Sequence, residues 1–401
     1  MTQRLTCDVV VVGAGMTGAA CALYAARAGL SVTVVDRGPV AGGTTGAGEG
    51  NLLVSDKEPG PELELALLSL RLWADLAAEP GRDTESGLGT AFEYEPKGGL
   101  VVASAAEGLA ALEEFAAGQR AAGVEAQPVS GHQLHALEPY LAPGLAGGVH
   151  YPQDAQVMPT LAAAHLVRAS GARLLTGRTV TEVLRRTADG SVYGVRTDRG
   201  DIHAPAVVNA AGTWGGDVAT LAGVRLPVLP RRGFVLVTEP LPRMVRHKVY
   251  AADYVADVAS DSAALQTSPV VEGTAAGPVL IGASRERVGF DRSFSLPVVR
   301  ALAAGATRLF PFLERVRAMR TYLGFRPYLP DHLPAIGPDP RAPGLFHACG
   351  HEGAGIGLAT GTGLLIAQVL GGTKPDLSLA PFRPERFDEY GYEHEYEGDA
   401  T

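Results

Sequence analysis

Cysteine is scarce in this 401-residue chain. Cys7, Cys21 and Cys349 stand singly, with no CxxC pair, so neither a disulfide framework nor an iron-sulfur or zinc site is supported. Cys7 and Cys21 read as small core residues and Cys349 as part of an apolar strand. Positive charge is also short. Lys and Arg number 34 against 43 Asp and Glu, a net charge of -9 with no visible basic cluster, which argues against nucleic acid or an anionic membrane as partner. No apolar run approaches the roughly 18 residues of a spanning helix. The first strand begins within a few residues of Met1, leaving no room for a signal peptide, so a soluble cytoplasmic protein is expected. His132 and His135 have a metal-ligand spacing on a helix, but no third ligand accompanies them and they read as a solvated face. No Ser-His-Asp or paired-carboxylate constellation stands out, and there is no internal repeat.

What the chain has instead is glycine set between apolar runs. Gly13, Gly15 and Gly18 follow the apolar run Val9–Val12 and open a helix-like stretch that closes at Ala28-Gly29; Asp36 then ends a second run, Val32–Val35. Together these make one βαβ unit. The first glycine permits the tight turn, the second lets backbone approach a pyrophosphate, and the third lets helix pack on strand. The helix N-terminus offers unpaired N–H groups and partial positive charge to the phosphates. Asp36 is placed to accept hydrogen bonds from adenosine ribose hydroxyls and to repel a 2'-phosphate, which implies FAD or NAD and not NADP.

A chain this long can bury a large core and exceeds one ordinary domain, so two are expected. The glycine- and threonine-rich stretch 42–51 follows the βαβ unit directly, where backbone held against a ligand is the favoured reading. Helical periodicity covers 63–78 and 108–122, as an apparent insertion, and Pro159–Ser170 starts with a helix-favouring proline. Short strands are expected at 174–175, 180–184 and 192–197, and a buried strand over 206–212 ends in small residues before Trp214 and a helix. From 226 to 283 β-rich segments alternate with turns, as in an antiparallel sheet, and a helix over 296–310 closes that region. The strand 345–348, the glycine loop 350–357 and an apolar helix to Leu370 repeat the opening style. From Asp388 onward the chain is acidic and tyrosine-rich and is expected to be solvated or frayed.

In this order the segments resemble the D-amino-acid-oxidase-like FAD-dependent oxidoreductases, the group of glycine oxidase, D-amino-acid dehydrogenase, sarcosine oxidase and the flavin subunits of opine and hydroxyproline dehydrogenases. Four motifs carry the resemblance: 13–18 with Asp36; the loop 44–51; 207–214; and Phe325-Arg326-Pro327 with Asp331 and 333–337, followed by 350–357. It implies an α/β fold in which a discontinuous Rossmann-like FAD-binding domain (1–55, 145–225 and 335–385) carries an inserted α+β substrate domain (56–144 and 226–334) with a mostly antiparallel sheet, then an acidic tail (386–401). It implies that Thr44, Thr45, Gly48 and Asn51 run along the flavin and that Ala211-Gly212 turns against it. Gly353, Gly355 and Ile356 match the loop whose helix N-terminus faces the pyrimidine end of the isoalloxazine, where positive potential favours the anionic reduced ring. Arg326 matches the arginine that forks onto a substrate carboxylate. Sarcosine-oxidase-type members can hold flavin through a cysteine just before that arginine; here the stretch is Thr321-Tyr322-Leu323-Gly324-Phe325, so non-covalent FAD is expected.

Each assignment has a plainer competitor. Arg326 could be an ion-pair residue of Asp331. His351 and Tyr254 are further candidates for contact with substrate or flavin. Glu352 could equally be a helix N-terminal charge, and Tyr250, like Tyr254, could equally be core. Glu49 is a pocket candidate by position alone. The resulting reading is FAD-dependent oxidation of an amine or amino acid bearing a carboxylate, giving an imine that hydrolyses, with positioning and not a dedicated base as the main demand. The alternatives are a flavin subunit of a heteromeric dehydrogenase, and an NAD-dependent dehydrogenase or nucleotide-binding module. The partners expected are a small-molecule substrate and either a second copy of the chain or dehydrogenase subunits.

Overall fold

Val9–Val12 is apolar at every residue because it lies between two cores. Val9 and Val11 face one, with Val34 and Val208, while Val10 and Val12 face the other, with Val35 and Val207; a parallel strand covered on both faces reads this way. The computed structural model describes residues 5–80, 88–252 and 264–388. Val9–Val12 sits inside a six-stranded sheet in the order Ala335–Pro338, Leu345–Cys349, Ala206–Asn209, Val9–Val12, Val32–Val35, Arg173–Leu175. All neighbours are parallel except the first pair.

The helices Met16–Arg27, Pro159–Ser170 and Ala359–Leu370 pack together beside this sheet. The first and last meet backbone to backbone: a Cβ on Gly363 would stand 2.6 Å from the carbonyl carbon of Ala20. The other core is closed by a four-stranded sheet, Leu5–Thr6, Gly200–His203, Val192–Thr197 and Val180–Arg185, through Val183, Val195 and Ile202.

The second large layer is an eight-stranded sheet in the order Ala318–Tyr328, Leu229–Thr238, Val279–Arg285, Gln266–Gly273, Lys248–Ala251, Gly99–Ala103, Gly147–Tyr151, Gln127–Ser130. It is antiparallel save for Lys248–Ala251 beside Gly99–Ala103. The helix Leu296–Leu309 covers one face through Val298, Leu302 and Ala306. On the other face Val101, Val149, Tyr250 and Val270 join the core that also holds Val9 and Val11.

Three sequence expectations need correction. Gly147–Tyr151 falls after the boundary drawn at 145, yet it pairs with Gly99–Ala103 in the eight-stranded sheet; its five residues carry no mark of which sheet they join. The helix Pro61–Ala78, assigned to the substrate segment, packs on Ala359–Leu370, where Gly361 N–H donates to Ser69 Oγ at 3.1 Å. The tail boundary drawn at 386 is too early, since Phe387 is buried and the Arg386 guanidinium pairs with Asp331 at 2.6 Å. Tyr254 and residues from 389 onward lie outside the described residues. Among those described, no helix is long and apolar enough to cross a membrane, no group of three or more His, Cys, Asp or Glu could hold a metal, and Cys7 is only half-buried whereas Cys21 and Cys349 are buried.

Candidate active site

The site begins at the turn after Val9–Val12. Gly13 has φ +114°, and a Cβ there would stand 2.3 Å from the Ala210 carbonyl oxygen, so no other residue fits. A Cβ on Gly18 would meet the Gly13 carbonyl oxygen at 2.0 Å, which is how closely the helix approaches the turn. Gly15, the N-cap of Met16–Arg27, brings no capping side chain; the cap comes from Thr45, whose Oγ1 accepts from Met16 N–H at 2.9 Å. Asp36 bridges the motif, accepting from Ala14 N–H and from Gly38 N–H, each at 2.7 Å. Its carboxylate thus braces the turn besides facing the cavity.

Thr44 and Thr213 both donate to the Phe325 carbonyl, at 2.7 and 2.8 Å, and lie 3.1 Å from each other. Three distant segments are tied at one oxygen, and Gly212 takes φ +57° beside them. Ile356 presses on Gly48, where a Cβ would meet its Cδ1 at 3.0 Å, and the Ile356–Gly357 carbonyls accept from Trp73 Nε1–H at 3.3 and 3.2 Å.

Between these parts runs one cavity of about 440 Å³, whose lining includes Gly13, Gly15 and Asp36, Thr44, Thr45 and Gly48, Ala211 and Gly212, and Glu49, Asn51, Arg326, His351, Gly353, Gly355 and Ile356. A Cβ on Gly15 would touch only Thr45 Oγ1, at 3.1 Å, so its absence leaves a groove along a helix N-terminus, the cradle a pyrophosphate needs. These residues fit a dinucleotide.

Arg326 stands on Ala318–Tyr328 opposite Arg231. Its Nη1 donates to the Ser284 carbonyl at 2.8 Å, and its Nε and Cδ pass Gly353. The competing partner Asp331 is taken by Arg386. Arg231 is buried against Glu352, with Gln266 Oε1 at 2.7 Å. Glu352 opens the short 3-10 turn Glu352–Ala354 with φ +47°; burial disfavours its ionised form, but the His332 hydrogen bond and the Arg231 and Arg285 charges prevail and hold its carboxyl at about 2. His351 is buried with its Nε2 at 3.0 Å from Thr362 Oγ1. Because that hydroxyl donates to the Leu358 carbonyl, the tautomer assigned carries hydrogen on Nε2. Burial pushes the imidazole down to about 3, so His351 is a neutral wall. Tyr250 is turned away from the cavity into the core, donating to Ser55 Oγ at 2.5 Å.

Glu49, marked in the sequence by position alone, is 9 % exposed, and its Oε1 has no partner among the described residues. Its Oε2 accepts from Asn51 Nδ2 at 3.4 Å; Asn51 Oδ1 accepts from Lys248, whose ammonium also lies 2.8 Å from Glu272 Oε2. Tyr322 donates to the Gly48 carbonyl at 3.4 Å. Sequence reading passed over Lys248, Glu272 and Tyr322. The available signal was charge inside apolar strands, in Lys248-Val249-Tyr250 and Val270-Val271-Glu272, since a buried charge is kept only with a partner or a task.

The family model described as FAD dependent oxidoreductase, DAO, matches residues 8–369. The chain belongs to this family. It is an FAD-dependent oxidoreductase. It is 31 % identical to the hydrogen cyanide synthase subunit HcnC of Pseudomonas aeruginosa, over 95 % of this chain and 96 % of that protein. It is 32 % identical to the glycine oxidase of Geobacillus kaustophilus, over 95 % and 97 %. The crystal structure of the latter enzyme superposes with a TM-score of 0.84 at 28 % identity, covering 96 % of this chain and 99 % of that one.

Proposed function

We propose that this oxidoreductase oxidises an amino acid or secondary amine bearing a carboxylate, giving an imine that hydrolyses to an oxo product. The observation that carries the reading is the Arg326 guanidinium, which reaches from the eight-stranded sheet into the cavity beside Gly353. A planar guanidinium binds a carboxylate in a fixed, forked orientation and so fixes the adjacent carbon too. The glycine turn 13–18, Asp36, the threonine loop with Gly48 and Asn51, Ala211-Gly212 and the loop of Gly353, Gly355 and Ile356 hold FAD without a covalent bond. When bound, FAD supplies a hydride acceptor. The chain's part is orientation: Thr44 and Thr213 lock the strand of Arg326 to the loop at the cofactor, and neutral His351 adds no competing cation. The substrate needs its amine neutral, so that the nitrogen lone pair can form the C=N bond as hydride leaves.

The test is anaerobic titration of the purified yellow protein with glycine, sarcosine, D-amino acids, proline, hydroxyproline and opines. Bleaching of the flavin by at least one carboxylate-bearing amine is expected. Bleaching by none of them, or only by substrates without a carboxylate, overturns the reading. The likeness to a synthase subunit supports a second reading, a flavin subunit that hands electrons to partner chains. Oxygen uptake by the isolated chain separates the two: turnover with dioxygen favours the oxidase, bleaching without turnover the subunit.

A further inference from the structure

We propose that Glu49 is the amine-binding residue of this site: it pairs with the substrate ammonium while Arg326 holds the carboxylate, and it accepts the proton that leaves nitrogen before hydride transfer. The inference rests on the function proposed above and adds a charge pair to it.

Glu49 and Arg326 line the same cavity and meet the same strand. A Cβ on Gly282 would stand 2.2 Å from Glu49 Oε1, and two residues on, Ser284 takes the Arg326 Nη1–H. The Arg326 charge acts on the Glu49 carboxyl, with no bond between the two among the described residues, so a carboxylate and a guanidinium face one cavity, the pair of groups that an α-amino acid engages with one charge-assisted contact at each end. Glycine at 282 is what makes room for the acid.

One oxygen of Glu49, Oε1, is buried and open to a further donor. Glu49 is faced by Lys248 and Glu272 from the neighbouring strands, by Arg326 and the Tyr322 hydroxyl from Ala318–Tyr328, and by Asn51 from its own loop. Lys248 bonds Glu272 and Asn51 and Lys97 also acts on Glu272, whereas the hydrogen bond given to Glu49 is the long Asn51 contact. Burial raises the Glu49 carboxyl above the ordinary range, with Lys248 opposing and Glu272 adding to the shift. The same burial disfavours an ammonium. A buried carboxylate and a buried ammonium thus relax toward neutral acid and neutral amine. One N–H bond breaks and one Glu49 O–H bond forms. The freed lone pair becomes the second C=N bond as the carbon-bound hydrogen leaves with its electron pair to the bound FAD.

The experiment compares the parent with Glu49→Gln, each loaded with FAD, by stopped-flow reduction without oxygen across pH, using the substrate that bleaches the parent. Glu49→Gln is expected to be reduced about a hundredfold more slowly at neutral pH and to recover toward the parental rate as pH rises through the pKa of the free amine, because substrate then arrives deprotonated. A simple carboxylate without an amine, read by its shift of the flavin absorbance, is expected to bind Glu49→Gln at least as tightly as the parent. Parental rates and an unchanged pH profile overturn the proposal, as does equal weakening toward the amine-free carboxylate. If Glu49→Gln retains no FAD, Glu49→Asp serves: an intermediate rate is expected from a charge drawn back by one methylene, and an unchanged rate refutes the role. Failure of the parent to be bleached refutes the function reading itself, whereas a bleachable parent matched by its variants refutes only this inference.

Discussion

Replacing Arg326 with Ala removes the guanidinium from the cavity together with its fold contacts, among them the hydrogen bond to the Ser284 carbonyl. The two losses differ in size, and the difference decides the outcome. The bond to Ser284 is an ordinary fold contact worth about 1 kcal/mol, small against a domain's total stability, so folding and FAD content should stay near normal. The substrate loses two charge-assisted hydrogen bonds, each worth roughly 1.5 to 3 kcal/mol, and its carboxylate is desolvated without a partner. At about 1.4 kcal/mol per factor of ten, flavin reduction by a carboxylate substrate should weaken or slow by about a hundredfold or more. Arg326→Lys should recover only part, because an ammonium cannot fork. Anaerobic stopped-flow reduction, with FAD content measured in parallel, is the assay. An Ala variant reduced as fast as the parent, at as low a substrate concentration, removes Arg326 from the site. A variant that purifies without FAD shows that its contact with the Gly353 loop matters more than the carboxylate.

Gly15→Val fills the groove that Gly15 leaves open beside Thr45, so the protein should purify largely without flavin; a full FAD spectrum refutes the cradle. In the parent, acid or heat should release FAD into the supernatant, and yellow colour remaining on precipitated protein contradicts non-covalent binding. Gly363→Val places carbon 2.6 Å from the Ala20 carbonyl carbon and should destabilise by about 1 to 3 kcal/mol, seen as a lower midpoint in urea; an unchanged midpoint means the helices part freely. His351 is neutral when folded, with its pKa lowered from 6.5 to about 3. Its stabilising effect is present above 6.5 and is lost as pH falls from there toward 3, with a limiting slope of about 1.4 kcal/mol per pH unit. His351→Asn should flatten that part of the stability profile between pH 6.5 and 5, above the range where Glu352 takes up its proton, and parallel profiles for parent and variant refute the neutral-wall assignment.

Local order made much of this protein legible in the chain. The valines of 9–12, the three glycines and the acid at 36 needed only neighbouring residues to be read as strand, turn, helix and strand, because strand alternation and glycine's backbone freedom are local properties. The spans at Pro159–Ser170 and Val192–Thr197 were read to the residue for the same reason. Tertiary structure decided what depends on partners far along the chain. Thr44 meets the Phe325 carbonyl across 281 positions, and Asp331 belongs to Arg386 across 55, which closed a competing role that Asp331 held in the sequence. Gly147–Tyr151 joins a sheet its own residues do not name, and Tyr250, whose place in the sheet suited a cavity wall equally well, points into the core. The set of Glu49, Asn51, Lys248 and Glu272 draws on a loop and three strands. No spacing rule reaches across such distances, since a charge's environment is set by whatever the folded chain packs around it.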